Sequence, residues 1–216
     1  MIVSMWMTKT VVSIEPTTPV IEAAQTMQDR KIRRLPVVGL RDGVQKVVGI
    51  LSQTDILRAL PPGTKTLSAA ADDPYVKAMQ TVEIMHRDPL MTTPETPIED
   101  VATVMRQEKI GSIPVVRDGV LVGMITESDI FRAFASILVT EKGDARVTFD
   151  VSDHEDVLEW LATNAKRRGI RVNSFIVAEQ HERPVCVVRV SGKRLDAFLD
   201  DLWKSGHKVL NVLRVE

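Results

Sequence analysis

Two copies of one sequence pattern occupy the first two thirds of this chain. The segment that begins at Met7 aligns with the segment that begins at Met85 when the sequence is shifted by 78 positions. The next segment, "VVGILSQTDILRAL", aligns with "LVGMITESDIFRAF" at a shift of 74, so the first copy carries four extra residues near Gly39 to Lys46. Such a repeat predicts two copies of one supersecondary unit, since each copy folds by the same local rules.

Each copy predicts the order strand, helix, strand, hairpin, strand, helix. Thr18 can cap the first helix of copy one, because its hydroxyl can accept a backbone N–H, and Pro19 suits the first helical turn. Thr54 or Asp55 is predicted to open the second helix. The corresponding positions of the second copy are Thr96, Pro97 and Ser128.

Two strands joined by a tight turn are predicted between the helices of each copy. An Asp-Gly pair, typical of a β-hairpin, separates these strands at 42–43 in the first copy and at 118–119 in the second. A further short strand is predicted before the first helix. The hairpin strands are predicted at 35–38 and 47–51 in the first copy, and at 113–116 and 121–125 in the second.

The length of each copy indicates that the two fold together. A unit of about 55 residues forms only a marginal core alone, so the copies are expected to pack face to face as a pseudo-twofold pair. The predicted limits are 5–62 for the first motif, 63–80 for a linker, 81–140 for the second motif and 145–216 for a further domain.

Charge and composition limit the classes of function. The formal net charge is −1, with 44% hydrophobic and 26% charged residues, which indicates a folded domain with a polar surface. Nucleic-acid-binding proteins usually carry a basic stripe, and the sequence has none, so no nucleic-acid partner is expected. No run of about 18 apolar residues and no leader-like segment is present, so a cytoplasmic location without a membrane partner is predicted.

Cysteine and histidine positions indicate neither a disulfide nor a metal site. Cys186 is the single cysteine and lies in an apolar run, so a buried structural thiol is expected. The four histidines show no metal-ligand spacing, and no metal is predicted. They are His86, His154, His181 and His207.

The segments "GILSQTDI" and "GMITESDI", the strands "LPVV" and "IPVV" and the Met7-Thr8 opening resemble a tandem pair of CBS motifs, also called a Bateman module. The resemblance covers about residues 5–138. It implies an α+β fold of two βαββα repeats with a cleft between them. In this family the cleft holds AMP, ADP, ATP or a related adenosyl compound as a regulatory ligand, and no other cofactor is required.

The resemblance also implies a set of nucleotide contacts. In the family, the Ser or Thr and the Asp of the strand-turn-helix segment contact ribose and phosphate, and the first strand of each motif reads adenine. A carboxylate can accept hydrogen bonds from a ribose diol, and a helix N-terminus offers N–H groups to phosphate. Helix capping alone is the alternative for both aspartates. The implied contacts are Ser52, Asp55, Thr126 and Asp129 for ribose and phosphate, and Ser13 and Thr92 for adenine.

Two arginines distinguish the first copy from the second. Arg33 and Arg34 precede the "LPVV" strand, where family members often place ligand-contacting side chains, and arginine makes bidentate contacts to phosphate. The second copy has Gly111 and Ser112 there, and Ser112 is also a candidate contact. The two sites are therefore predicted to be unequal, with one favouring phosphate-rich ligands. A surface position is the alternative for each arginine.

The last seventy residues follow a different pattern. Ser152 and Glu155 can form a capping box at the start of a helix. Its apolar face is predicted to comprise Val157, Leu158, Leu161 and Ala165. With strands at 146–151, 171–179, 184–191 and 208–215 and a second helix at 193–204, the order is β-α-β-β-α-β, the ferredoxin-like arrangement.

This arrangement resembles an ACT domain, which implies side-by-side pairing with another copy and, in some members, an amino-acid site. The family often has a glycine in the first strand-helix turn, whereas this chain has "DVSDHEDV" there, so dimerisation is the preferred role. His154, in the same turn, is expected to be solvated.

A CBS pair followed by an ACT-like domain resembles the acetoin-utilisation B (AcuB-like) family, which implies a stand-alone regulator. The leading hypothesis is a homodimer that senses an adenine nucleotide and acts on an unidentified protein, because a ligand shifts the population toward the arrangement that it binds better. A ligand-independent assembly module is one alternative. An enzyme is the other, although neither a nucleophile elbow nor a P-loop occurs in the sequence.

Overall fold

The computed structural model describes residues 1–41, 43–63, 66, 72–138, 143–152, 156–180 and 183–214. The chain forms two compact units, Met1–Ala133 and Phe134–Glu216. None of the helices in these ranges is long and apolar enough to span a lipid bilayer. The elements that begin in the first unit are a 3₁₀ helix (Val3–Met5), α1 (Val20–Arg30), β1 (Arg34–Arg41), β2 (Val44–Ser52), α2 (Gln53–Ala59), α3 (Pro74–Ala78), α4 (Thr81–Ile84), β3 (His86–Arg87), α5 (Ile98–Glu108), β4 (Ser112–Arg117), β5 (Val120–Thr126) and α6 (Glu127–Leu138).

Two matching β-hairpins make the repeat visible in the first unit. Strand β1 pairs antiparallel with β2, and β4 pairs antiparallel with β5. Each hairpin contains a register shift, between Val37 and Val38 and, 78 residues later, between Val115 and Val116. The predicted hairpin strands are confirmed, whereas Asp42 of the first predicted turn lies outside the described residues.

The segment that precedes each repeat packs on the other repeat. Val3 N donates to Thr96 O at 3.0 Å, and the equivalent bond 78 residues later joins Thr81 N to Thr18 O at 2.9 Å. Val3 is fully buried in the core of the second repeat, whereas Met79 is buried in the core of the first. Strand β3 continues the exchange, since it pairs with β2. The two repeats therefore complete each other's cores.

The prediction of a strand before the first helix of each copy is wrong. A single β-bridge occupies that position in each copy. Ile14 N donates to Pro36 O at 3.1 Å, Val38 N donates to Ile14 O at 2.9 Å, and the ladder ends there. Pro16 stands where the next donor of the ladder would be, and proline has no N–H. The second copy has the same single bridge at Thr92, again followed by a proline two residues later.

The threonine caps predicted for the first helices are also wrong. Helix α1 begins at Val20 with Pro19 as its N-cap residue, and no side chain caps it. Thr18 Oγ1 instead accepts a hydrogen bond from Glu15 N at 3.1 Å, and Thr96 makes the same bond to a backbone N–H three residues before it. A residue before proline is disfavoured in the helical region, so the helix starts after the proline and each hydroxyl serves the preceding turn.

The second unit contains one four-stranded antiparallel sheet and two helices. The strand order is β7-β8-β6-β9. Phe149, Cys186 and Phe198 are fully buried in its core. The predicted element order β-α-β-β-α-β is confirmed. The elements are β6 (Asp144–Asp150), α7 (Val157–Arg168), β7 (Arg171–Gln180), β8 (Arg183–Ser191), α8 (Leu195–Trp203) and β9 (Val209–Arg214).

Helix α7 has a different cap from the one predicted. Ser152 Oγ donates to Asp150 Oδ1 at 2.5 Å, and its predicted partner Glu155 lies outside the described residues. Asp156 caps the helix by accepting a backbone N–H three residues on. The backbone N of Ser152 also donates to Asp150 Oδ1, at 3.0 Å, so the serine closes a turn at the end of β6 and does not cap the helix. Leu158, predicted to point inward, is 58% exposed because the buried stripe follows every fourth residue from position 157.

Ion pairs and burial set the protonation of several groups in the second unit. A hydrogen bond from Lys208, at 2.8 Å, holds the pKa of the Asp150 carboxyl well below its usual range. Arg168 lowers the pKa of Asp201 in the same way and ties α7 to α8. Burial raises the pKa of the Cys186 thiol to about 11, so the predicted buried thiol is confirmed and is not a nucleophile at neutral pH.

Candidate ligand-binding site

A cavity of about 470 Å³ lies between the two repeats of the first unit. Its walls come from the chain before α1, the turn after α1, the start of β4 and the start of α6. Small-molecule sites generally occupy roughly 300 to 1,000 Å³, so this cavity is large enough for a nucleotide. The lining residues are 8, 10–12, 30–34, 36, 111–112, 124 and 126–128.

The N-terminus of α6 forms one wall of the cavity, through Thr126, Glu127 and Ser128. Asp129 Oδ2 accepts hydrogen bonds from Thr126 N at 2.9 Å and from Thr126 Oγ1 at 2.8 Å. Asp129 Oδ1 accepts a further bond from Arg132 Nη2 at 2.7 Å. Asp129 is therefore buried and ion-paired beside the cavity, and Thr126 is the member of this cap that lines it.

Ser52 and Asp55 form the same cap at the start of α2. Asp55 Oδ2 accepts hydrogen bonds from Ser52 N at 2.8 Å and from Ser52 Oγ at 2.6 Å. Neither residue belongs to the lining of the cavity. Capping, the alternative for both aspartates, is thus present in both repeats. Because an ionised carboxylate has about four lone-pair sites, the cap still leaves acceptor capacity on Asp129.

Four basic residues line one side of the cavity: Arg30, Lys31, Arg33 and Arg34. They come together because α1 ends in a left-handed residue, Lys31 with φ 54°, which turns the chain toward β1. None of the four forms a salt bridge with another residue in the described ranges. Glu127 is the one acidic residue of the lining, so the cavity carries a surplus of three positive charges.

Arg34 reaches from the first repeat to the second. A Cβ atom built on Gly111 would lie 2.9 Å from Arg34 Nη1 and 3.0 Å from Glu127 Oε2. Any larger residue at position 111 would therefore meet both charged groups. A cation of the first repeat and a carboxylate of the second face each other across Gly111 in the cavity wall.

Ser112, one of the lining residues, has an unpaired hydroxyl. The residue is 7% exposed, and its Oγ is buried without a hydrogen-bond partner in the part of the chain that the structure describes. Leaving a buried polar group unpaired costs about 1 to 3 kcal/mol, and folded proteins contain few such groups. Ser112 is also one of the residues that line the cavity, so a polar ligand group placed beside it could pair this hydroxyl.

Five of the predicted contact residues meet at this one cavity. Arg33, Arg34, Ser112 and Thr126 line it, and Asp129 bonds to Thr126 at its edge. They come from three separated segments of the chain, one in the first repeat and two in the second.

The other predicted contacts lie elsewhere. Ser13 lines a smaller cavity of about 250 Å³, together with Lys9 and Gln45. Thr92 forms the β-bridge to β4 and lines neither cavity.

Sequence analysis missed several residues that belong to the site. Arg30 and Lys31 stand beside the arginine pair in the sequence, but only the position of the helix end places all four cations on one side. Arg132 Nη2 bonds both Asp129 and, at 3.1 Å, the carbonyl oxygen of Trp6, over whose ring the guanidinium lies at 6.0 Å from the centroid. An arginine in the same place of both "ILRAL" and "IFRAF" is the signal that could have identified it.

Metal-ligating side chains do not cluster in the described ranges: no three or more His, Cys, Asp or Glu residues come together there. His86 is exposed, and His207 Nδ1 lies 2.7 Å from Ser205 Oγ. His154 and His181 lie outside the described residues.

Comparison with protein families gives one match that occurs twice. The sequence model of the CBS domain matches residues 3–62 and again residues 82–136, which together are more than half of the chain. Both matches fall within the part of the chain that contains the repeat.

A curated relative with a similar sequence is protein MJ1225 of Methanocaldococcus jannaschii. It is 30% identical over 177 residues, a match that spans 76% of this chain and 60% of that protein. The chain spans between 19% and 60% of the lengths of the first three curated relatives.

Two solved structures resemble the chain over about the same share of its length. A protein of Vibrio cholerae assigned to acetoin utilization (AcuB) is 29% identical with a TM-score of 0.51, and the match covers 64% of this chain and 93% of that one. CBSX2 of Arabidopsis thaliana, solved in complex with AMP, is 26% identical with a TM-score of 0.52, and the match covers 63% and 97%.

Proposed function

The chain belongs to the CBS domain family, and we propose that the cavity of its first unit binds AMP, ADP, ATP or a related adenosyl ligand. Occupancy regulates a partner protein, because a ligand that touches both repeats favours the arrangement in which both contact it. The complex of the related CBSX2 with AMP supports an adenine nucleotide as the ligand class. The role is regulatory and not catalytic.

The unpaired hydroxyl of Ser112 carries this proposal. It belongs to a residue that lines a cavity of nucleotide size, and that lining includes four cations and one carboxylate. A phosphate or a ribose hydroxyl satisfies the serine and also neutralises the surplus positive charge. An apolar ligand does neither.

Each candidate residue has a role in this proposal. The phosphates contact Arg33 and Arg34, and the N-terminus of α6 adds backbone N–H groups. Thr126 and Asp129 contact the ribose. Ser13, which follows the lining residue Val12 in the chain, contacts adenine through its backbone.

Ser52, Asp55 and Thr92 are proposed as contacts of a second, weaker site, related to the first by the repeat. In the second repeat, Gly111 and Ser112 occupy the positions of Arg33 and Arg34, so this second site lacks the two arginines.

We expect Ser112→Ala to weaken nucleotide binding about 3- to 10-fold, the effect of one lost hydrogen bond. The ligand-free variant should be as stable as the parent or more stable, because the substitution removes an unpaired buried hydroxyl. Isothermal titration calorimetry with AMP, ADP, ATP and S-adenosylmethionine measures the first effect. Thermal unfolding without ligand measures the second.

Ser205→Ala is the matched control. Ser205 Oγ donates to Leu202 O at 2.7 Å in the second unit, so its loss should lower the melting temperature and leave nucleotide affinity unchanged. If Ser112→Ala lowers stability and leaves affinity unchanged, the hydroxyl has a structural role and does not contact the ligand. If none of the four ligands binds, the proposed nucleotide site is wrong. The chain is then better described as a ligand-independent assembly module.

For the second unit we propose an ACT-type domain that pairs with a second copy of the chain. Strand β9 lies at an edge of its sheet, so its outer backbone groups are open to pairing, and it exposes Leu210 (54%) and Leu213 (52%). We expect Leu210→Lys/Leu213→Lys to shift the monomer–dimer equilibrium toward the monomer in sedimentation velocity. A dimer of unchanged affinity would contradict pairing through β9.

A further inference from the structure

We infer that the cavity selects among adenine nucleotides by the length of the phosphate chain, and takes a nucleoside di- or triphosphate in preference to the monophosphate. This inference rests on the proposed function and adds the class of ligand. Its basis is the number and placement of the charges in the lining.

The positive charge of the cavity exceeds what one phosphate group can neutralise. Arg30, Lys31, Arg33 and Arg34 line it without salt bridges in the described ranges, and Glu127 offsets one of these charges. A terminal phosphate carries about 1.5 to 2 negative charges at neutral pH. Each further phosphate of a nucleotide adds negative charge, so a di- or triphosphate matches the surplus of three better than a monophosphate does.

The repeat provides an internal comparison for this charge. The positions that hold Arg30, Lys31, Arg33 and Arg34 in the first copy hold Glu108, Lys109, Gly111 and Ser112 in the second. Both copies use a left-handed lysine at the helix end, with φ 54° and 55°, so the backbone turn is the same. The shared turn, with the lysine kept and the other three side chains different, indicates that the three arginines are not needed for folding the turn.

The position of Arg34 also favours a ligand with more than one phosphate group. Its guanidinium lies in the space that Gly111 leaves open and faces Glu127 across it. A phosphate chain that extends toward the N-terminus of α6 replaces this carboxylate as the nearest anion. A single phosphate held by Arg33 leaves Arg34 facing Glu127.

The test is calorimetric titration of the full chain with AMP, ADP, ATP and inorganic tripolyphosphate. We expect ADP and ATP to bind about 10-fold or more tightly than AMP, since a charge-assisted contact contributes about that factor. Raising the salt concentration from about 50 to 300 mM should weaken ATP binding more than AMP binding, because screening acts on every charge pair.

The variant Arg30→Glu/Arg33→Gly gives the first copy the residues of the second at two of the three positions that differ. Both arginines are exposed, so the variant should fold, and the ratio of ATP to AMP affinity should fall to about threefold or less. The single variant Arg33→Gln tests the same point by a smaller change. Arg106→Ala, an exposed arginine of α5 outside the cavity, is the control and should keep the parent ratio.

Equal binding of AMP, ADP and ATP, or a preference that persists in the double variant, overturns the inference and leaves the nucleotide site itself intact. Binding of tripolyphosphate that depends on Arg33, without binding of any nucleotide, supports the selection for phosphate chains and contradicts the proposed adenine ligand. Binding of neither class overturns both.

Discussion

Val3→Asp is expected to lower the free energy of unfolding of the first unit by about 3 to 5 kcal/mol, the range for an uncompensated buried charge. Val3 is fully buried against the core of the second repeat, which includes Ile98, Val101 and Met105. An aspartate there must either keep its charge in an apolar core or take up a proton, and both cost free energy. The effect follows only if the first residues of the chain belong to the core of the second repeat.

Urea unfolding followed by tryptophan fluorescence measures this change. The chain has three tryptophans, and in a Trp160→Phe/Trp203→Phe background the signal comes from Trp6 of the first unit. Met5→Asp is the matched control, since Met5 is 65% exposed and an exposed substitution usually changes stability by at most about 0.5 kcal/mol. Equal effects of the two aspartates would contradict the exchange of segments between the repeats.

Gly123→Ala is expected to lower the free energy of unfolding by about 1 to 3 kcal/mol, the usual range for overpacking. A Cβ atom on Gly123 would lie 2.6 Å from Met7 Sδ and 3.1 Å from Thr8 O. The sulfur can move, but Thr8 O is held by a hydrogen bond from Met124 N at 2.9 Å. Because Thr8 lines the cavity, the displacement should also weaken nucleotide binding.

Gly49, the equivalent glycine of the first repeat, provides a comparison for the effect of Gly123→Ala. A Cβ atom on Gly49 would lie 2.5 Å from Met85 Sδ and 3.1 Å from His86 O, so Gly49→Ala should destabilise the unit by a similar amount. Met85 and His86 do not line the cavity, so nucleotide affinity should change less.

A double-mutant cycle of Gly123→Ala with Met7→Ala checks the cause of the destabilisation. Neighbouring residues that share a contact usually show interaction energies of about 0.5 kcal/mol or more. An interaction energy of that size would show that Met7 contributes to the strain, and additive effects would assign the strain to Thr8 O alone.

Patterns of a few residues are sufficient to predict much of this fold. The Asp-Gly turns predict the hairpins, because strand pairing in a hairpin depends on near neighbours. The second helix of the first copy begins at Gln53 after a Ser52 cap and not at the predicted Thr54 or Asp55, because Ser52 and Asp55 bond each other's backbone N–H groups. The predictions fail where two local rules compete. Thr18 resembles a cap, but Pro19 moves the helix start past it, and Pro16 ends the ladder that the apolar residues before it would otherwise continue.

The sequence predicts only part of the candidate site, because it shows motifs of near neighbours and not the surroundings of a side chain in three dimensions. The arginine pair and the Thr126–Asp129 cap are visible as sequence motifs. The unpaired hydroxyl of Ser112 and the space that Gly111 leaves for Arg34 are not, because both depend on which side chains surround a position in three dimensions.

Residue order along the chain is enough for the repeat, the hairpins and the identity of the cationic loop, since each depends on residues close in sequence. The exchange of first segments, the burial of Val3 and the meeting of Thr8, Arg34 and Thr126 around one cavity depend on contacts between residues many tens of positions apart. Such contacts form only when both repeats fold together, because neither repeat has a complete core without the segment that the other provides.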